Sequence, residues 1–70
     1  MHKFFTAIGF DGSGKAYKYR NIQNKPISLQ RFESFCQGKG INYVNYYCKV
    51  SRRFIMRKII PNAYNAANTQ

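Results

Sequence analysis

Tyrosines interleaved with lysine and arginine are the side chains best equipped for chemistry in this chain, and that chemistry is non-covalent. From Ile41 to Val50, β-branched and aromatic residues fall at nearly every second position, the pattern of a half-buried strand. Alternation puts Val44, Tyr46, Cys48 and Val50 on one face and Tyr43, Asn45, Tyr47 and Lys49 on the other. The first set suits a core. The second is aromatic, amide and cationic together, as a nucleic-acid surface is: bases of any identity stack on rings, and cations follow the phosphates. Gly14-Lys15-Ala16-Tyr17-Lys18-Tyr19 and Gly38-Lys39-Gly40-Ile41-Asn42-Tyr43 each place Gly-Lys ahead of a tyrosine-bearing strand. If those strands are neighbours, Tyr17, Tyr19, Tyr43 and Tyr47 share one exposed face, with Lys15, Lys18, Arg20, Lys39 and Lys49 around it. Arg52, Arg53, Arg57 and Lys58 form the densest cationic cluster, for which phosphate contact is the expected use. The competing account makes the tyrosines ordinary half-packed strand residues and the cluster a solvated edge that resists aggregation.

Charge favours the first account. Twelve Lys and Arg face only Asp11 and Glu33, a formal net charge of +10. Such self-repulsion costs stability unless a polyanion relieves it, and nucleic acid is the commonest polyanion partner. An anionic membrane surface is the next candidate, but no amphipathic helix is strong enough to carry it. Catalysis has little to work with. His2 is the sole histidine and sits at the terminus, and the two acids have no acid/base spacing. Cys36, Cys48 and His2 fall short of a zinc tetrad, so no metal, cofactor or catalytic residue is expected. Both cysteines are expected as buried, inert thiols.

Gly9-Phe10-Asp11-Gly12-Ser13-Gly14-Lys15 fits G-x-x-x-x-G-K and resembles the Walker A motif of P-loop NTPases over this stretch. That resemblance would imply phosphate binding through the loop amides and Lys15. Position 16 is Ala where the family holds magnesium with Ser or Thr, and the following residues are strand-like, not helical. A hairpin turn is the better account, although its successive N–H groups with Lys15 can still form a small anion nest.

The elements that must position these residues are short. Lys3–Phe10 reads as a strand with Phe4, Thr6, Ile8 and Phe10 on one face and Phe5 and Ala7 on the other. The turn formers Asp11–Gly14 then lead into a strand over Lys15–Ile22, with Tyr17 and Tyr19 opposite Lys18 and Arg20. Ser28 is a suitable N-cap for a helix of about two to three turns. Leu29, Phe32, Phe35 and Cys36 make its apolar face, and Gly38 and Gly40 end it. After Ile41–Val50, the run Phe54–Ile60 before Pro61 reads as a strand on its β-branched content. A helix capped by Ser51, stacking Ile55 on Ile59, is the alternative. As a strand it carries Phe54, Met56, Lys58 and Ile60 on one face and Arg53, Ile55, Arg57 and Ile59 on the other. The fold class is therefore α+β, a small antiparallel sheet in ββαββ order with one short helix packed on one face.

Seventy residues make one small domain, taken as 1–61 with a flexible tail over 62–70. With no secretory signal or membrane-spanning run, a cytoplasmic protein, in the host cytoplasm if viral, is expected. Abundant Asn, Lys, Tyr, Ile and Phe fit an A+T-rich phage or mobile element. The expected function is non-enzymatic nucleic-acid binding, single-stranded DNA or RNA ahead of duplex, and a homo-oligomer is compatible with it. The alternative is a small protein–protein module, a phage-encoded inhibitor or virion component docking on an acidic protein surface.

Overall fold

The alternating runs do become strands. The computed structural model describes residues 3–61, so His2 and the expected tail over 62–70 lie outside the described residues. Strands β1 (Phe4–Asp11) and β2 (Ala16–Gln23), helix α1 (Pro26–Lys39), and strands β3 (Ile41–Cys48) and β4 (Phe54–Ile59) follow in that order. They build a sheet in the order β2-β1-β3-β4, antiparallel at each pairing. The fold is α+β, and the ambiguous final run is strand β4. Because β2 and β3 both run opposite to β1, they are parallel to one another, and α1 is the crossover that such a pair requires. Among the described residues no helix is long and apolar enough to cross a membrane.

Helix α1 begins at Pro26, earlier than the expected cap at Ser28. Proline's fixed φ suits the first helical position, where its missing N–H is no loss, and Lys25 takes the cap position without a side-chain hydrogen bond. Ser28 sits inside the first turn and donates its hydroxyl to Gln23 Oε1 at 3.1 Å. The helix runs through Gly38 to Gly40, whose left-handed backbone (φ 83°) lets its N–H reach the carbonyls of Cys36 and Gln37. Its 14 residues make about four turns, longer than the apolar stripe alone suggested.

The helix packs across β2 and β3 and covers one face of the sheet. Phe32 and Cys36 are buried against Phe5 and Ala7 of β1 and Val44 and Tyr46 of β3, with Leu29 partly buried beside them. The Tyr46 ring lies 5.4 Å from Phe5 and 6.1 Å from Phe32. Its hydroxyl donates to Glu33 Oε2 at 3.2 Å, which satisfies the polar tip of a ring with no exposed surface. Val44, Tyr46 and Cys48 thus fill the core as expected. Val50 does not: β3 ends at Cys48, and Val50 is 91% exposed in the β3–β4 turn.

Each of the three strand pairings is interrupted once, and each interruption brings an isoleucine to the core. Between β1 and β2, Phe5 pairs with Ile22 but Ala7 with Tyr19, leaving Arg20 and Asn21 opposite Thr6. Asn21 takes the left-handed backbone (φ 62°) of a glycine-type bulge, and Ile22 turns toward the helix. Between β1 and β3, the step from Phe10–Tyr43 to Asp11–Ile41 skips Asn42 and buries Ile41 completely. Between β3 and β4, Tyr46 pairs with Met56 and Tyr47 with Phe54, so Ile55 is the extra residue and packs on the core. This last bulge reverses the expected grouping of β4: Phe54 stands with Arg57 and Ile59, apart from Met56 and Lys58.

Candidate nucleic-acid interface

The small side chains of β1 decide which face of β2 looks outward. Ala7 pairs with Tyr19 and buried Gly9 with Tyr17. Above those small residues there is room for rings, and Tyr19 fills it, meeting Phe32 at 5.3 Å and Phe35 at 5.5 Å edge-on. Lys18 and Arg20, on the opposite side of β2, therefore project from the face that α1 leaves uncovered. On the same face stand Thr6, Ile8 and Phe10 of β1 and their partners Tyr47, Asn45 and Tyr43 of β3. Phe54, Arg57 and Ile59 of β4 complete it.

One half of this open face is a cationic cup. It is a concavity of about 570 Å³ with Thr6, Ile8 and Tyr47 in its lining and four cations, Lys18, Arg20, Lys49 and Arg52. The β3–β4 turn supplies two of the four and is tightly closed. Arg52 N–H donates to the Cys48 carbonyl at 2.8 Å, and Cys48 N–H to the Arg53 carbonyl at 2.9 Å. Arg53 N–H donates to Ser51 Oγ at 3.3 Å. Arg52 has a left-handed backbone (φ 64°), a conformation that glycine or asparagine takes far more readily.

The other half is a ladder of rings. Phe10 and Tyr43 stack with centroids 5.0 Å apart, and Arg57 covers Tyr43 with its guanidinium carbon 4.8 Å from the ring centre. Arg57 Nε donates to Asn45 Oδ1 at 2.9 Å. Tyr43 therefore has a partner on its ring in both Phe10 and Arg57. Tyr47, at the boundary between ladder and cup, meets Phe54 edge-on at 5.8 Å, and Phe54 is 55% exposed. From solvent, the Tyr47–Phe54 pair and the Arg57 guanidinium are therefore met before Tyr43.

Both side-chain carboxylates of the chain are turned to the helix side. Glu33 holds the Tyr46 hydroxyl. Asp11 Oδ1 accepts from the Ser13 hydroxyl at 2.6 Å and from the Ser13 and Lys15 amides at 2.9 and 3.0 Å. Its Oδ2 accepts from the Tyr17 hydroxyl at 3.1 Å. The Ser13 hydroxyl above all, with those amides, holds the Asp11 carboxyl below its ordinary range against an opposing effect of burial. The open face thus combines Lys18, Arg20, Lys49, Arg52 and Arg57 with no aspartate or glutamate side chain. Among the described residues, no three His, Cys, Asp or Glu side chains group as metal ligands.

Several expected contact residues lie elsewhere. Tyr17 and Tyr19 are on the helix side, so the four tyrosines do not form one platform. Lys15 and Lys39 accompany Tyr17 there, each ammonium 5.2 Å from its ring centre. Lys58 pairs with Val44 and belongs to the helix-side face of β4. Arg53 is exposed in the β3–β4 turn, where its backbone closes the hairpin. In the Gly12–Lys15 turn, Asp11 already holds three of the amides that a phosphate nest would use: the carboxylate binds Ser13 and Lys15, and the carbonyl accepts from Gly14 at 3.1 Å. Conversely, Thr6, Ile8, Phe10 and Phe54 join the open face without having been expected there. Thr6, Ile8 and Phe10 share one strand parity that the sequence displays, but whether that parity faces the helix depends on the small Ala7 and Gly9. No protein-family model, curated protein or solved structure matches the chain.

Proposed function

We propose that this chain is a non-enzymatic nucleic-acid-binding protein that holds a single strand against the open face of its sheet. The observation that carries this reading is the makeup of the open face, which joins cations to exposed rings and carries no side-chain carboxylate. Five cations project from the face without the helix, and both side-chain carboxylates lie on the other side. Lys18, Arg20, Lys49 and Arg52 would contact phosphates, Tyr47 and Phe54 would stack a base, and Arg57 would extend the stacking surface beyond Tyr43. A ring-lined face of this kind accepts any base, so binding should be tolerant of sequence. An unpaired strand can splay its bases onto Tyr47 and Phe54, whereas a duplex keeps them stacked inside.

Titration of a fluorescent single-stranded oligonucleotide at two salt concentrations tests the proposal. Neutralising about three to five phosphate charges, three if the cup holds one terminal phosphate, predicts a slope of about −2 to −3.5 in log K against log salt, so affinity falls about twenty- to a hundredfold for a fourfold rise in salt. A matching duplex should bind more weakly, and the double variant Lys49→Ala/Arg52→Gly should flatten the slope. Absence of binding at low salt, or binding indifferent to salt, would remove this function and leave docking on an acidic protein surface as the better reading.

A further inference from the structure

The four cations of the cup converge on one concavity instead of spacing themselves along a track. Each internal phosphate of a strand carries a single negative charge. Lys18, Arg20, Lys49 and Arg52 around one such phosphate would remain largely unneutralised and repel one another. A phosphate monoester is a better match, because it carries close to two charges near neutral pH and presents three strong acceptor oxygens. Arg52 reaches the cup from a backbone conformation that glycine would adopt without strain, in a turn fixed by its own hydrogen bonds. Strained backbone of this kind clusters at ligand-binding sites, held there by the structure around it. The aromatic half of the face begins at Tyr47, which also lines the cup, so a ligand seated there has its next groups beside Phe54 and Arg57.

From this we infer that the cup is a subsite for a terminal phosphate, and that the protein binds the phosphorylated end of a nucleic-acid strand with its first bases laid toward the ladder. The inference rests on the nucleic-acid reading and narrows it from any stretch of strand to an end.

Short fluorescent oligothymidylates of one length, carrying a 5′-phosphate, a 3′-phosphate or neither, distinguish the two levels. One of the phosphorylated forms should bind about fivefold more tightly than the unphosphorylated one, the gain expected from one additional neutralised charge. Arg52→Gly should abolish that gain without lowering the melting temperature, since glycine accommodates the turn. Equal affinity of all three forms, with the salt dependence intact, overturns the end-binding inference and leaves the general function standing. No binding of any form overturns both. Thymidine monophosphate serves as the remaining probe: if it displaces the phosphorylated oligonucleotide at equal concentration, the cup is a free-nucleotide site and end recognition is rejected.

Discussion

Arg57 lies over the ring of Tyr43 and at the same time donates through Nε to Asn45 Oδ1, at 4.8 Å from the ring centre and 2.9 Å from the oxygen. Asn45 is only 8% exposed although it belongs to the open face, so Arg57 is the lid that makes it buried and the donor that satisfies it. Lysine at this position keeps the charge but has neither the planar stack nor the fixed fork. Arg57→Lys should therefore lose about 1–2 kcal/mol in urea unfolding, mostly from the unpaired amide oxygen. Stability equal to wild type would mean that water replaces the guanidinium at no cost.

The two exposed-face tyrosines should respond differently to truncation. Tyr43 is stacked on Phe10 and covered by Arg57, so Tyr43→Ala should cost about 2–3 kcal/mol of folding free energy through lost ring contacts and burial. Tyr47 and Phe54 touch edge-on at the rim, and their conversion to leucine should leave folding within about 1 kcal/mol. Each should instead weaken oligonucleotide binding by about 1–3 kcal/mol. Chemical denaturation and binding titration on the same preparations separate these effects. If Tyr47→Leu unfolds the domain, that ring is structural.

Gly9 is a packing constraint on the buried side. A Cβ placed there would stand 2.9 Å from Ile41 Cγ2 and 3.2 Å from its Cδ1. Ile41 is fully buried and its Cγ2 is bonded to the branch point, so it has little freedom to retreat. Gly9→Ala should destabilise by about 1–3 kcal/mol. The double variant Gly9→Ala/Ile41→Val, which removes Cδ1 but retains Cγ2, should recover only part of that loss in urea unfolding.

Much of the fold was legible because strand alternation and the helix stripe are local. The hairpin, the order ββαββ, and the burial of Val44, Tyr46, Cys48, Phe32 and Cys36 all follow from spacing. The bulges are different. Ile22, Ile41 and Ile55 each lie on the wrong parity for the core until one extra residue is inserted in a ladder, and only the paired strand reveals that insertion. The side of β2 facing outward was hidden for a related reason. It depends on Ala7 and Gly9 lying across from Tyr19 and Tyr17, a relation between two strands. The cationic character of the chain was evident in composition, while the absence of carboxylates from one face required the positions of Asp11 and Glu33.

Alkaline pH should weaken the fold through groups that hold their protons more tightly when folded. Burial, with Glu33 nearby, pushes the Cys36 thiol from 9.0 up to about 11. Burial first, then the charge of Glu33 and the hydrogen bond to it, raises the Tyr46 hydroxyl above its ordinary 10.0. Both pKa values are higher folded than unfolded, so the stability they contribute is intact below the unfolded values. For Cys36 it is lost as pH rises from 9.0 through about 11, and for Tyr46 the loss sets in only above 10.0. For Cys36 alone the loss is about 3 kcal/mol. Urea unfolding from pH 7 upward should show wild type falling more steeply than Cys36→Ala. Parallel profiles would show that the thiol does not govern the decline.

The last prediction concerns the two residues with left-handed backbone that, among the described residues, are not glycine: Asn21 (φ 62°) and Arg52 (φ 64°). Asparagine tolerates this region, whereas for arginine the clash of Cβ with the carbonyl costs about 1–2 kcal/mol. Asn21→Gly should therefore be close to neutral. Arg52→Gly relieves the clash but makes the unfolded chain more flexible, which returns part of the gain. A net increase of about 0.5–1 kcal/mol remains, or about 2–8 °C in melting temperature for a domain of this size. The same variant should bind oligonucleotide less tightly, because the cup loses one of its four cations. Stability and binding then move in opposite directions at Arg52 and not at Asn21. That opposition is expected if Arg52 occupies a glycine-like position for the sake of its side chain. Should Arg52→Gly instead destabilise the fold, the guanidinium holds the turn together and its place in the cup is incidental.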